Sequence, residues 1–119
     1  MAGWGKDAQD GSFQVVQNKV DIPIMNRQEC GARIRQAFDK QGNFGGSNTF
    51  TLSKSEICAG GEEEKDACDG DGGAPLVCLS KENRWHVVGL VTWGIGCGKV
   101  GVPGVYANIY QMIDFIMAA

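Results

Sequence analysis

Eighteen glycines lie scattered between short apolar runs along this chain. Glycine reaches backbone conformations closed to other residues and weakens a helix interior. This spacing therefore favours short strands joined by tight turns over long helices. At 119 residues the chain amounts to one domain or part of one, long enough to enclose a core. Apolar residues make up 43% and charged ones 21%, as in ordinary globular proteins. The net charge of −3 lacks the basic footprint of a nucleic-acid binder. No apolar run approaches the roughly 18 residues of a membrane span. Met1 leads directly into Ala-Gly-Trp-Gly, so no secretion leader is visible here.

Five cysteines follow: Cys30, Cys58, Cys68, Cys78 and Cys97. None forms the close C-x-x-C pair typical of structural zinc, so no metal is expected. Their spread suits disulfides, which belong to an oxidising, extracellular compartment. An odd count leaves one thiol over. A secreted cysteine pattern without a leader, and with an unmatched thiol, is what a fragment of a longer secreted protein would carry.

The segment from Phe13 to Met25, FQVVQNKVDIPIM, is β-branched and partly alternating. It reads as a long bent strand pair with Pro23 near an edge or a bend, entered through the turn signal Asp10-Gly11-Ser12. Asn26 with Glu29 three residues on resembles a capping box. Cys30, Ile34, Ala37 and Phe38 then recur at helical spacing, predicting a helix over 27–38. Residues 39–50 read as an exposed loop. Strands are expected at Ile57–Ala59, Pro75–Leu79, Trp85–Trp93 (apolar enough for a central strand) and Gly104–Ala107. Asn108 with Gln111 can start a last helix whose apolar face is Ile109, Met112, Ile113, Ile116 and Met117. The pattern as a whole argues for a small antiparallel barrel or sandwich.

Three segments carry a more specific signal: Ala2-Gly3-Trp4-Gly5; Asp66-Ala67-Cys68-Asp69-Gly70-Asp71-Gly72-Gly73-Ala74-Pro75-Leu76-Val77-Cys78; and Thr92-Trp93-Gly94-Ile95-Gly96-Cys97-Gly98 followed by Pro103-Gly104-Val105-Tyr106. In order and spacing they resemble the second barrel of the trypsin-like (chymotrypsin-fold) serine proteases, over essentially the whole chain. The implied fold is all-β: an antiparallel Greek-key barrel with a short intermediate helix and a C-terminal helix. On this resemblance residues 1–119 are the C-terminal half of such a domain, the first barrel and any clip domain lying outside the chain.

The family carries Gly-Asp-Ser-Gly-Gly-Pro around its nucleophile. Here Gly70-Asp71-Gly72-Gly73-Ala74-Pro75 stands in its place, and Gly72 offers no hydroxyl for an acyl-enzyme. The family's base histidine and its aspartate belong to the first barrel. His86 is the only histidine and reads as a strand residue. No enzymatic activity is therefore expected. The resemblance implies a remnant oxyanion hole at the N–H groups of Gly70 and Gly72. It also implies a primary specificity pocket with Asp66 at its floor and Gly94 and Gly104 as walls, suited to Arg or Lys; a plain loop carboxylate is the other reading of Asp66. Asp71 matches the aspartate that pairs with a freed N-terminal amine in activated relatives. Without that amine its buried carboxylate would lack a partner, and a loosely ordered, zymogen-like loop over 70–74 is expected. The implied disulfides are Cys30–Cys58 and Cys68–Cys97, leaving Cys78, whose family partner lies upstream. An EF-hand count from Asp69 or Asp66 places Ser80 or Val77 where a glutamate is required, so no calcium loop is expected. Glu62 to Glu64 reads as a solvated run.

Within the family the pattern is most similar to the non-catalytic serine protease homologues of arthropods. That implies a secreted innate-immunity protein assisting prophenoloxidase activation by binding proteins of the cascade, with no cofactor, nucleic acid or membrane. The loop 39–50 and the cleft are the expected contact surfaces. The alternative is a truncated family fragment without independent function, exposing the apolar face that would pack on its twin barrel.

Overall fold

The computed structural model describes residues 1–7, 11–40 and 50–119. Most of the loop expected at 39–50, and Asp10 of the expected turn, lie outside the described residues. Elements run β1 (Ala2–Gly3), β2 (Asn18–Lys19), β3 (Ile24–Met25), α1 (Arg27–Lys40), β4 (Glu56–Gly60), β5 (Pro75–Leu79), β6 (Trp85–Trp93), β7 (Pro103–Asn108) and α2 (Ile109–Ala118). Five strands form one antiparallel sheet in the order β3-β4-β7-β6-β5, and β1 pairs with β2. Antiparallel strands with two helices agree with the fold expected from the sequence. Among the described residues the strands do not close hydrogen by hydrogen into a ring.

Strand β7 holds the middle of the sheet, and its first four residues are buried. Successive side chains alternate across it. On one face Val105, opposite Cys58, joins Cys30, Ile34, Ala37, Leu52 and Ile95 against α1. On the other, Tyr106 packs with Ala59 and Leu76. Cys30–Cys58 ties α1 to β4 across the first cluster.

Helix α1 begins as its sequence indicates. Asn26 Oδ1 accepts from the N–H groups of Gln28 (2.9 Å) and Glu29 (3.3 Å). Glu29 turns instead toward Arg33, 3.4 Å away and exposed, and the helix runs on to Lys40 rather than stopping at 38. Asn108 caps α2 in the same way, accepting from Tyr110 N–H at 3.2 Å.

One expectation is corrected, and two are met with a difference in burial. The strand pair over 13–25 shrinks to β2, β3 and a single bridge between Lys6 and Phe13, with Val15 and Val16 exposed; Pro23 donates no hydrogen bond that would extend a ladder. The central strand expected at 85–93 is found: β6 lies between β7 and β5, with Trp85 and Val87 nonetheless exposed. The apolar face of α2 is not buried: Ile113, Ile116 and Met117 remain exposed.

Candidate functional site

The loop between β4 and β5 is fixed by its own backbone and by the N-terminal segment. Asp71 N–H donates to Cys68 O at 2.9 Å, Ala74 N–H to Asp71 O at 2.8 Å and Gly73 N–H to Val91 O at 2.9 Å. Lys6 N–H reaches Asp69 O at 2.8 Å, and Lys6 Nζ lies 3.4 Å from Asp69 Oδ2. Cys68–Cys97 clips the loop to the turn that follows β6. The path requires left-handed backbone at Gly70 (φ 95°) and Gly73 (φ 81°), conformations that cost little only without a β-carbon.

Asp71 is buried, and its carboxylate accepts from Gly5 N–H (2.8 Å, Oδ1) and Cys68 N–H (3.0 Å, Oδ2). The expectation of an unpartnered carboxylate is thereby corrected. Two main-chain donors hold the charge, and five main-chain hydrogen bonds, that of Val91 N–H to Ala74 O included, hold residues 69–74. The Gly-Trp-Gly segment gains a physical reason as well: β-carbons on Gly3 and Gly5 would fall 2.1 Å and 2.5 Å from Asp71 atoms.

A cavity of about 350 Å³ opens beside this loop, with Asp66, Gly70, Gly72, Gly94, Gly104 and Tyr106 in its lining. It thus gathers every residue that the sequence singled out for a pocket and an oxyanion site. Gly98 N–H donates to Asp66 Oδ2 at 3.3 Å. Burial pushes the Asp66 carboxyl up to about 6; hydrogen bonds from the main chain at Gly98 and Ala67 pull the other way, and the Asp71 charge adds to the rise. Gly104 must be small, since a β-carbon there would lie 2.8 Å from Asp66 Oδ1 and 3.3 Å from the Tyr106 ring. Desolvation first, then the Asp66 and Asp71 charges, raise the Tyr106 phenol above its ordinary value. Its hydroxyl is buried without a hydrogen-bond partner among the described residues.

Space is open at Gly72. A β-carbon on Gly72 would meet nothing within 4 Å. Neither Gly70 nor Gly72 donates its N–H to another described residue. His86 stands opposite Cys78 near the far end of the β5–β6 hairpin. Gly73 bonds at Val91, so His86 lies five strand residues away, about 16 Å. Cys78 forms no disulfide among the described residues.

Sequence reasoning gave no role to the side chain of Trp93 at the cavity, or to those of Phe13 and Lys6 beside the loop. Trp93 lines the cavity, donates Nε1–H to Glu56 Oε2 at 2.9 Å and meets Phe50 edge-on at 5.8 Å. Phe13 rests on Gly70, where a β-carbon would be 2.8 Å from its ring, and Lys6 Nζ stands 5.2 Å from the ring centre. These contacts join segments far apart in sequence, and no local periodicity signals them. No group of three or more potential metal ligands occurs among the described residues.

Comparison with known proteins gives a match to the Trypsin family model over residues 1–116. An inactive CLIP domain-containing serine protease A3 of Aedes aegypti is 47% identical over 118 residues, covering 98% of this chain and 23% of that protein. Phenoloxidase-activating factor 2 of Galleria mellonella is 40% identical over 119 residues, covering 97% of this chain and 37% of that protein. Phenoloxidase-activating enzyme 1 of Spodoptera litura is 40% identical over 116 residues, covering 98% and 27%. The chain therefore spans well under half the length of these curated relatives.

Proposed function

Because this chain belongs to the trypsin family, we propose that it is a non-catalytic member, a binding cofactor or adaptor in an extracellular protease cascade. The observation that carries this reading is Gly72. The family's attacking hydroxyl is replaced by a hydrogen atom, in a loop otherwise built like a substrate site. Residues 1–119 are read as the C-terminal half of the protease-like domain. The small share of each relative that the chain covers supports this, as do the bare apolar faces at Trp85 and along α2.

In this reading Gly70 and Gly72 are a remnant oxyanion hole. Asp66, Gly94 and Gly104 form a remnant pocket for a basic side chain, and Asp71 is the activation aspartate. The names of the moth relatives support a role in phenoloxidase activation and so in melanisation, with a phenoloxidase zymogen or its activating protease as partner. Two disulfides suit a secreted protein. The test uses the purified full-length protein. A fluorogenic arginine substrate and a serine-directed covalent probe should both be left untouched, while a pull-down from haemolymph recovers a cascade protein. Specific turnover by the pure protein would overturn the reading.

A further inference from the structure

We propose that the loop 69–74 is set in its site-forming shape from within the chain, by residues 3–6 and 12–14. The binding site is then ready in the intact full-length protein, before any cut frees an amine for Asp71. The inference rests on the binding reading above and states how that same site is assembled.

The grip on the loop is shared residue by residue. Gly5 N–H holds the Asp71 carboxylate at 2.8 Å. Lys6 N–H holds the Asp69 carbonyl at 2.8 Å, and Lys6 Nζ stands 3.4 Å from the Asp69 carboxylate. The Phe13 ring lies so close to Gly70 that a β-carbon there would be 2.8 Å away. Residues 69, 70 and 71 are thus each engaged by the N-terminal segment. The two parts of that segment hold one another. Lys6 pairs with Phe13 in an antiparallel bridge, Gln14 N–H donates to Trp4 O at 3.3 Å, and Lys6 Nζ stands 5.2 Å from the Phe13 ring centre. On the other side, Gly73 and Ala74 are hydrogen-bonded to Val91 of β6, both at 2.9 Å, and Cys68–Cys97 closes the base.

Asp71 is where a freed amine would act, and its charge is already met. A buried carboxylate is costly alone and much less so when main-chain N–H groups point at it. Gly5 and Cys68 supply one such donor to each oxygen. The fit is close on one side, where β-carbons on Gly3 and Gly5 would fall 2.1 Å and 2.5 Å from Asp71 atoms. A second cavity of about 280 Å³, lined by Gly3, Gly5, Lys19 and Asp71 among others, leads to the same carboxylate. An amine entering there would add to a charge already held, not rescue a bare one.

The test reads amide hydrogen exchange by mass spectrometry. It compares the full-length protein as one intact chain with the same protein after limited proteolysis upstream of Met1, the new amine being confirmed by N-terminal sequencing. Exchange over 69–74 should be protected in both forms, at rates within roughly twofold of each other. Exchange slowed by roughly tenfold or more after the cut would overturn the inference, because the amine would then be what closes the loop. Equal exchange at the rate of an unfolded chain in both forms would overturn it as well. In the intact chain, Phe13→Ala/Lys6→Gln should speed exchange over 69–74 by roughly fivefold or more and leave β7 unchanged. Unchanged exchange over 69–74 in that variant would remove the N-terminal segment from the role. Should the variant unfold as a whole, the comparison of intact and cut parent protein decides alone. Exchange reports the loop and not a ligand, so failure here leaves the non-catalytic reading standing, and turnover of an arginine substrate leaves this measurement untouched.

Discussion

Gly3 and Asp71, 68 positions apart, share one small volume: a β-carbon on Gly3 would sit 2.1 Å from Asp71 Oδ1. Gly3→Ala should therefore force the carboxylate or β1 aside and lower stability by about 2 kcal/mol in urea unfolding. Adding Asp71→Ala should cost less in the Gly3→Ala background than alone, because the clash disappears with the carboxylate. Strict additivity would show that the two residues do not meet.

Asp71→Asn tests the two hydrogen bonds directly. The amide can accept from only one of the Gly5 and Cys68 N–H groups and turns its own N–H toward the other. A loss of about 2 kcal/mol is expected. Faster hydrogen exchange at Gly5 and Cys68 would accompany it, and unchanged exchange at both would contradict the geometry.

Asp66 makes stability depend on pH in an unusual direction for a carboxylate. Its folded value, about 6, lies above the ordinary 3.8, so the folded chain keeps a proton that the unfolded chain has lost. Stability should fall as pH rises from about 4 to about 6 and level off above. Asp66→Asn should remove that step. It should stabilise the protein at pH 7.5 by roughly 2 kcal/mol, less than the full shift implies because the cavity admits solvent, and change nothing at pH 3.5. A Tm difference that is the same at both pH values would refute this.

Gly72→Ser should fold normally, within about 0.5 kcal/mol of the parent, since the new β-carbon meets nothing within 4 Å. A hydroxyl alone should not hydrolyse an arginine ester in this chain, because His86 lies toward the far end of the hairpin. Measurable turnover by this variant would require a general base elsewhere.

Opening either disulfide should be costly. The bridges span 28 and 29 residues, each constraining the unfolded chain by about 3.5 kcal/mol in the chain-entropy account. Unreduced mass spectrometry should find Cys30–Cys58 and Cys68–Cys97 as the intrachain pairs, and a drop of less than about 1 kcal/mol on Cys30→Ser/Cys58→Ser would contradict that weight.

What the sequence conveyed well was local or strongly patterned. Asn26 and Asn108 announce helix starts because capping is a contact between near neighbours. The strands at 75–79 and 85–93 follow from apolar runs bounded by turn residues. Asp66, Gly94 and Gly104 could be grouped through family resemblance, and the cavity brings them together. What stayed hidden depended on distant partners. The residues Val15 and Val16 look strand-like but lie exposed, and the apolar stripe of α2 looks like a core face but is not buried among the described residues. Periodicity reports which side chains are apolar, not whether a matching surface is at hand. The rescue of Asp71 by Gly5 and Cys68 was equally illegible, because backbone N–H groups leave no mark in a residue string.

The two sulfur bridges enclose separate stretches, 30–58 and 68–97, with no interleaving. A single backbone cut inside either stretch leaves both pieces joined, and such a nicked molecule would migrate as one species until a reductant is added. A cut in the short span between Cys58 and Cys68, which contains the acidic run Glu62 to Glu64, severs the molecule outright. Limited digestion run with and without reductant would therefore map where the chain is first cleaved.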